Sequence, residues 1–145
     1  MLLKDPILSP APIDISHNDM RLLEVGYQDV KPYASLAKKE RVAISDTQNT
    51  LWFHVFIGAK NQDFVGICGL YTAPKKCRIK GDWFLPQYRG LGCGEFITQC
   101  RLMIAKELDY TVIEVLTLHP HYYQNKGFTI HKETRKGVWL ADKEI

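Results

Sequence analysis

The chain has 145 residues, 46% of them hydrophobic and 24% charged. That is the length and balance of one folded domain, expected to span residues 1–145, and it excludes fibrous and disordered classes. Its 19 basic and 16 acidic residues leave a net charge of +3, too mild for a general nucleic-acid coat or a membrane-surface helix.

No apolar run approaches the ~20 residues that span a bilayer, and Pro6, Pro10 and Pro12 break up any signal-peptide core at the N-terminus. The cysteines (Cys68, Cys77, Cys93, Cys100) form no C-x-x-C pair. In a chain of this size without an export signal they read as reduced thiols, acting as small hydrophobes in a cytoplasmic protein.

In chain order, residues 1–12 read as a proline-stiffened entry strand or arm. A short helix is expected around Asn18–Val25 and a longer one from Asp29 to Val42. For the longer one, Asp29 serves as N-cap, Pro32 sits in the first turn, and Tyr33, Leu36 and Ala37 form the apolar stripe. Leu51–Ala59 is rich in β-branched and aromatic residues and reads as a strand, followed by strands at Phe64–Thr72 and Lys76–Leu85. Short polar turns make these three an antiparallel meander.

From Gly94 to Leu108 the period changes to 3.6, with Phe96, Ile97, Cys100, Ile104 and Leu108 on the apolar side. A buried strand, Val112–Leu118, follows, so strand, loop, helix and strand imply a right-handed crossover to a parallel neighbour. A short helix at Pro120–Asn125 and strands at Phe128–His131 and Gly137–Leu140 complete the chain. The fold class is α/β or α+β: a mixed, mostly antiparallel twisted sheet of about six to seven strands with flanking helices.

The stretch Leu85-Pro86-Gln87-Tyr88-Arg89-Gly90-Leu91-Gly92-Cys93-Gly94-Glu95 lies where a strand ends and the long helix begins. Glycines at alternate positions let the main chain approach a ligand, and successive N–H groups converge at the positive end of the helix dipole. Such a loop suits a diphosphate, and Arg89 offers a charged fork for its oxygens. No Gly-Lys-Ser/Thr follows, which rules out a Walker A loop. A dinucleotide fingerprint fits poorly, because no βαβ unit precedes the loop and no acidic residue ends a following strand.

The segment instead closely resembles the acyl-CoA-binding loop of the GNAT superfamily of N-acetyltransferases, Arg/Gln-x-x-Gly-x-Gly/Ala, with Arg89, Gly92 and Gly94 at its fixed positions. Downstream, Tyr122-Tyr123-Gln124-Asn125-Lys126-Gly127-Phe128 is similar to the family's Phe-Tyr-x-x-x-Gly-Phe segment. The two motifs and the elements between them cover residues 79–128. The resemblance implies a GNAT-like acyl-CoA N-acyltransferase fold with acetyl-CoA as co-substrate. Its diphosphate would lie on the amides of Arg89, Gly90, Leu91, Gly92, Cys93 and Gly94, with Glu95 at the helix start. Its pantetheine would pair with the backbone of about Trp83, Phe84 and Leu85, one of which polarises the thioester carbonyl. An amine then attacks directly, and Tyr123 matches the family's proton donor to the departing thiolate; Tyr122 takes the packing position.

One departure is visible. Many members carry an Asn ahead of that tyrosine, whereas this chain reads Thr117-Leu118-His119-Pro120-His121, and His119 stands as its replacement. Asp82 and His119 rank ahead of Glu114 as general base, since an imidazole ordinarily titrates near neutrality. Strand alternation groups Asp82 with Lys76, Arg78 and Lys80 rather than with Ile79 and Trp83.

His119 and His121 lack further ligands at metal spacing, so no metal is expected. Cys93 is read as chance occupancy of a variable loop position rather than as a nucleophile. The acceptor is a small-molecule or protein amine. Two alternatives are a nucleic acid or aminoacyl-tRNA, suggested by Lys75, Lys76, Arg78 and Lys80 on one strand with Lys132, Arg135 and Lys136 near the C-terminus, and a catalytically silent acyl-CoA-binding module. No membrane partner is expected, and a homodimer rests on analogy alone.

Overall fold

The computed structural model describes residues 11–46, 48–60 and 62–145. Eight strands form one sheet: β1 (Asp14–His17), β2 (Met20–Val25), β3 (Thr50–Ile57), β4 (Asp63–Ala73), β5 (Lys76–Phe84), β6 (Val112–Thr117), β7 (Thr129–Arg135) and β8 (Val138–Glu144). Their spatial order is β1-β2-β3-β4-β5-β6-β8-β7, and every neighbouring pair is antiparallel except β5 and β6. The helices are α1 (Ala34–Lys39), α2 (Cys93–Glu107) and α3 (Pro120–Gln124). The meander, the crossover through the long helix and the mixed sheet all follow the pattern of the sequence.

The N-terminal third departs from expectation. The entry arm over residues 1–12 lies largely outside the described residues, and the helix expected around Asn18–Val25 is instead a hairpin of β1 and β2. His17 pairs with Met20 across Asn18 and Asp19, with Asn18 left-handed at φ 52°. A two-residue Asn-Asp turn is a hairpin signal, and the apolar residues around Leu22 serve a half-buried strand. The helix expected over Asp29–Val42 is broken into 3-10 turns at Tyr27–Asp29 and Lys31–Tyr33, with only Ala34–Lys39 α-helical. Asp29 does not cap α1; its carboxylate accepts the Gly26 N–H at 3.3 Å. Pro32 does occupy a first turn, that of the second 3-10 segment.

The sheet has a different cover on each face. On one, Ile97, Cys100 and Ile104 of α2 and Tyr123 of α3 join Phe53, Leu70, Ile79 and Val115 in the main core. On the other, Val30 and Ala37 cover Trp52, Ile67 and Trp83 in a smaller cluster. The helical period thus puts one stripe of α2 against the sheet while its outer side, including Met103 at 53% exposure, faces solvent.

One irregularity reorients the chemistry. Ile67 pairs with Trp83 and Gly69 with Lys80, so β5 carries an extra residue at a bulge, where Gly81 sits at φ 71°. A bulge reverses which face later side chains take. Cys77 and Ile79 face α2; beyond Gly81 it is Asp82 and Phe84 that do so, while Trp83 turns to the smaller cluster. The grouping of Asp82 with Lys76, Arg78 and Lys80 is therefore corrected, because strict alternation does not cross a bulge. A side chain at Gly81 would also place its Cβ 2.5 Å from the Trp52 ring.

Candidate functional site

The parallel neighbours β5 and β6 are paired only at Arg78 with Glu114 and Ile79 with Val115. Beyond that point β5 continues to Phe84 and β6 to Thr117, so the two strands part. The free side of β5 can be assigned residue by residue. Leu85 donates its N–H to Val65 at 2.8 Å, on the β4 side. Hydrogen-bonding direction alternates along an antiparallel strand; Trp83 therefore also faces β4, where it pairs with Ile67, and Phe84 turns its N–H and C=O into the gap. Of the three residues Trp83, Phe84 and Leu85, it is Phe84 whose main chain is aimed there.

Directly after β5, Pro86–Tyr88 makes a 3-10 turn, and Gly90 and Gly92 follow at φ 81° and 88°. Gly92 is the N-cap of α2 in the left-handed region, where a Cβ costs about 1–2 kcal/mol. The first helical bond is Phe96 N–H to Gly92 O at 3.2 Å, so the amides of Gly92, Cys93, Gly94 and Glu95 precede the ladder at the positive end of a 15-residue helix. Leu91 is 53% exposed. The hydroxyl of Tyr122 lies 3.6 Å from where a Gly94 Cβ would be, and Lys126 sits over the Tyr122 ring while ion-pairing with Glu95. The end of α3 is thereby fastened to the start of α2.

Arg89 is not a free fork. Its Nε and Nη2 donate to Phe84 O at 3.0 and 2.8 Å, and its Nη1 and Nη2 each donate at 2.7 Å to the carboxylate of Glu40. Its own N–H goes to Pro86 O at 3.3 Å. The Arg89 fork, expected to meet phosphate oxygens, is engaged here by a carboxylate and a carbonyl. Glu40, held below the usual carboxylate range by Arg89 and the Trp83 indole N–H, ends α1.

Asp82 meets a partner absent from the sequence reading. Arg101 of α2, fully buried, donates to its two carboxylate oxygens at 2.5 and 2.7 Å, and also to Gly69 O at 3.0 Å and Ile97 O at 3.3 Å. It thus fills the polar gap that the bulge opens in the β4–β5 ladder. Tyr123 packs edge-on against Phe128 at 5.2 Å and Tyr122 at 5.1 Å. Burial pushes its phenol well above the usual tyrosine range; the Asp82 charge adds to that rise and the Arg101 charge opposes it. Tyr123, Asp82 and Arg101 therefore form one electrostatic group at the parting of the strands.

His119 is exposed at the C-terminal end of β6, as N-cap of α3, its N–H on Thr117 Oγ1 at 2.8 Å. Glu114 is spent on Arg78, whose Nε lies 2.8 Å away. Cys93 is buried and burial pushes its thiol up, which disfavours the thiolate a nucleophile needs. The sequence did hold a signal for Arg101: with Ile97 and Ala105 it stands at i, i+4 and i+8 on the buried stripe of α2. Glu40 carried none, being 49 residues from Arg89.

No protein-family model matches the chain, and neither does any curated protein. Solved structures do. A domain from Methanocaldococcus jannaschii superposes with TM-score 0.72 at 12% identity, covering 89% of this chain and 100% of its own. A Mycobacterium tuberculosis protein in complex with CoA gives 0.68 at 14%, covering 86% and 98%. A GNAT family acetyltransferase from Elizabethkingia anophelis with acetyl-CoA bound gives 0.63 at 14%, covering 89% and 100%. The fold is that of the GNAT acetyltransferases.

Proposed function

We propose that this chain, built on the GNAT acetyltransferase fold, transfers an acetyl group from acetyl-CoA to a primary amine by direct attack. The observation that carries the reading is the adjacency of two features: the parting of β5 from β6, and the amide-lined start of α2 that follows β5 immediately. A thioester with a diphosphate at one end and a peptide-like arm at the other fits both, and such ligands are present in the CoA and acetyl-CoA complexes of similar fold.

In this reading the amides of Gly90, Leu91, Gly92, Cys93, Gly94 and Glu95 receive the diphosphate, where the helix dipole favours negative charge. The N–H of Phe84 donates to the thioester oxygen, a fixed dipole aimed where charge develops. The amine nitrogen attacks the carbonyl carbon and the C–S bond breaks. Tyr123 gives its proton to the sulfur, and the second proton, shed by the acylated nitrogen, returns to the phenolate, whose charged form burial disfavours. His119, exposed at the mouth, takes the proton that the ammonium must lose. Asp82, with both oxygens on Arg101, supplies a fixed negative charge that orients the incoming ammonium.

The test is a screen of polyamines, amino acids and peptides with acetyl-CoA, read by release of free thiol. Release that depends on an amine, with acetylated product by mass, is the expected result. Binding of acetyl-CoA without release for any amine would leave a silent acyl-CoA module instead.

A further inference from the structure

The clearest feature left over is the carboxylate that occupies Arg89. We infer that Glu40 is a positioning residue for the coenzyme, holding the amide cradle of α2 and the open edge of β5 at a fixed separation; this rests on the coenzyme site proposed above. The two groups it joins belong to the two halves of that site. Its Oε2 accepts the Trp83 indole N–H at 2.6 Å, within β5. Its two oxygens accept Arg89 Nη1 and Nη2 at 2.7 Å, within the loop. Arg89 in turn reaches back to Phe84 O. The 3-10 turn joins the start of that loop to β5 through main-chain bonds, and the fork from Arg89 to Glu40 and Phe84 adds the side-chain tie ahead of the left-handed Gly90 and Gly92.

The advantage of such a tie is geometric. A ligand that engages two subsites at once gains from their fixed spacing, because the second contact is made at high effective concentration. Glu40 contacts neither subsite's ligand-facing amides, so loosening it leaves each half able to bind its own fragment and reduces only the gain from joining them. Simple electrostatics predicts the opposite sign, since removing a carboxylate near an anionic ligand strengthens attraction. The direction of the effect therefore separates the two.

The experiment titrates coenzyme A, ADP and pantetheine separately into the full chain and into Glu40→Gln and Arg89→Lys, by calorimetry. The Glu40 and Arg89 side chains are both 42% exposed, so neither substitution opens a core cavity, and a melting curve checks that each variant is folded. The expected result is that coenzyme A binds about five-fold more weakly in each variant, the scale of an exposed charge pair. ADP and pantetheine bind as to the parent, and the double variant is no worse than either single one. Unchanged or tighter binding of coenzyme A in Glu40→Gln would overturn the inference, as would a loss for ADP equal to that for coenzyme A. A parent chain that binds none of the three removes the coenzyme site and this inference with it. Normal parent binding with an indifferent variant removes only the role of Glu40.

Discussion

Replacing Arg101 by Met tests the link between the bulge, Asp82 and stability. Arg101 is wholly buried and makes bonds to Asp82, Gly69 O and Ile97 O. Methionine fills much of the volume but donates nothing, so Gly69 O loses a buried donor, at about 1–2 kcal/mol. Asp82 loses its counter-charge. A fully buried broken pair costs about 3–5 kcal/mol, but the Asp82 side chain is 29% exposed and water recovers part, leaving about 1–2 kcal/mol. The sum is about 3 kcal/mol, or about 10 °C in Tm for a domain of this size. Urea unfolding with an unchanged m-value reads it. Removing the stranded charge as well, in Arg101→Met/Asp82→Leu, is expected to recover about 1–2 kcal/mol relative to the single variant. A loss below about 1 kcal/mol, or a double variant weaker than the single one, would refute the assignment of Arg101 as the group that makes Asp82 tolerable there.

Other outcomes follow from the same geometry. Tyr123→Phe is expected to lower kcat by about 10²–10⁴ with little change in coenzyme affinity, as measured by thiol release and calorimetry. Because burial raises the folded phenol above its ordinary 10, the stability tied to its neutral form is present below about pH 10 and is lost as pH climbs towards the folded value; Tyr123→Phe should flatten that alkaline limb of a melting-temperature profile. Gly92→Ala places a Cβ at φ 88°, with Met20 Cε 3.6 Å away, so about 1–2 kcal/mol of stability is lost to strain and coenzyme binding weakens as the cradle shifts. Cys93→Ala is expected to keep thiol release within about two-fold of the parent, whereas an acyl-enzyme route through that sulfur would abolish it.

Much of the architecture was legible because long, strongly periodic segments dominate the middle of the chain. The meander, α2 and the crossover to β6 each show one clear period, and two short motifs fixed where the loop and α3 fall. The misreadings come from local effects that periodicity does not carry. Asn18 closes a two-residue hairpin that an apolar count around Leu22 cannot separate from a helix, and the 3-10 turns at Lys31–Tyr33 take over what Pro32 suggested was a longer α-helix. At the site, Gly81 is the hidden variable: one extra residue in β5 turns Asp82 towards α2 and so towards Arg101. The engagement of Arg89 by Glu40 joins positions 49 apart in sequence, and only tertiary packing brings them together.

In the proposed reading, the amides opening α2, and the Phe84 N–H in the gap beside it, receive a coenzyme A thioester. Backbone amide NMR of the full chain, titrated with acetyl-CoA, tests it residue by residue. Saturable shifts concentrated at Gly90 through Glu95 and at Phe84, with Tyr123 following, are the expected result. Shifts absent there, or confined to the outer side of α2 around Gln99, Met103 and Lys106, would rule the coenzyme site out.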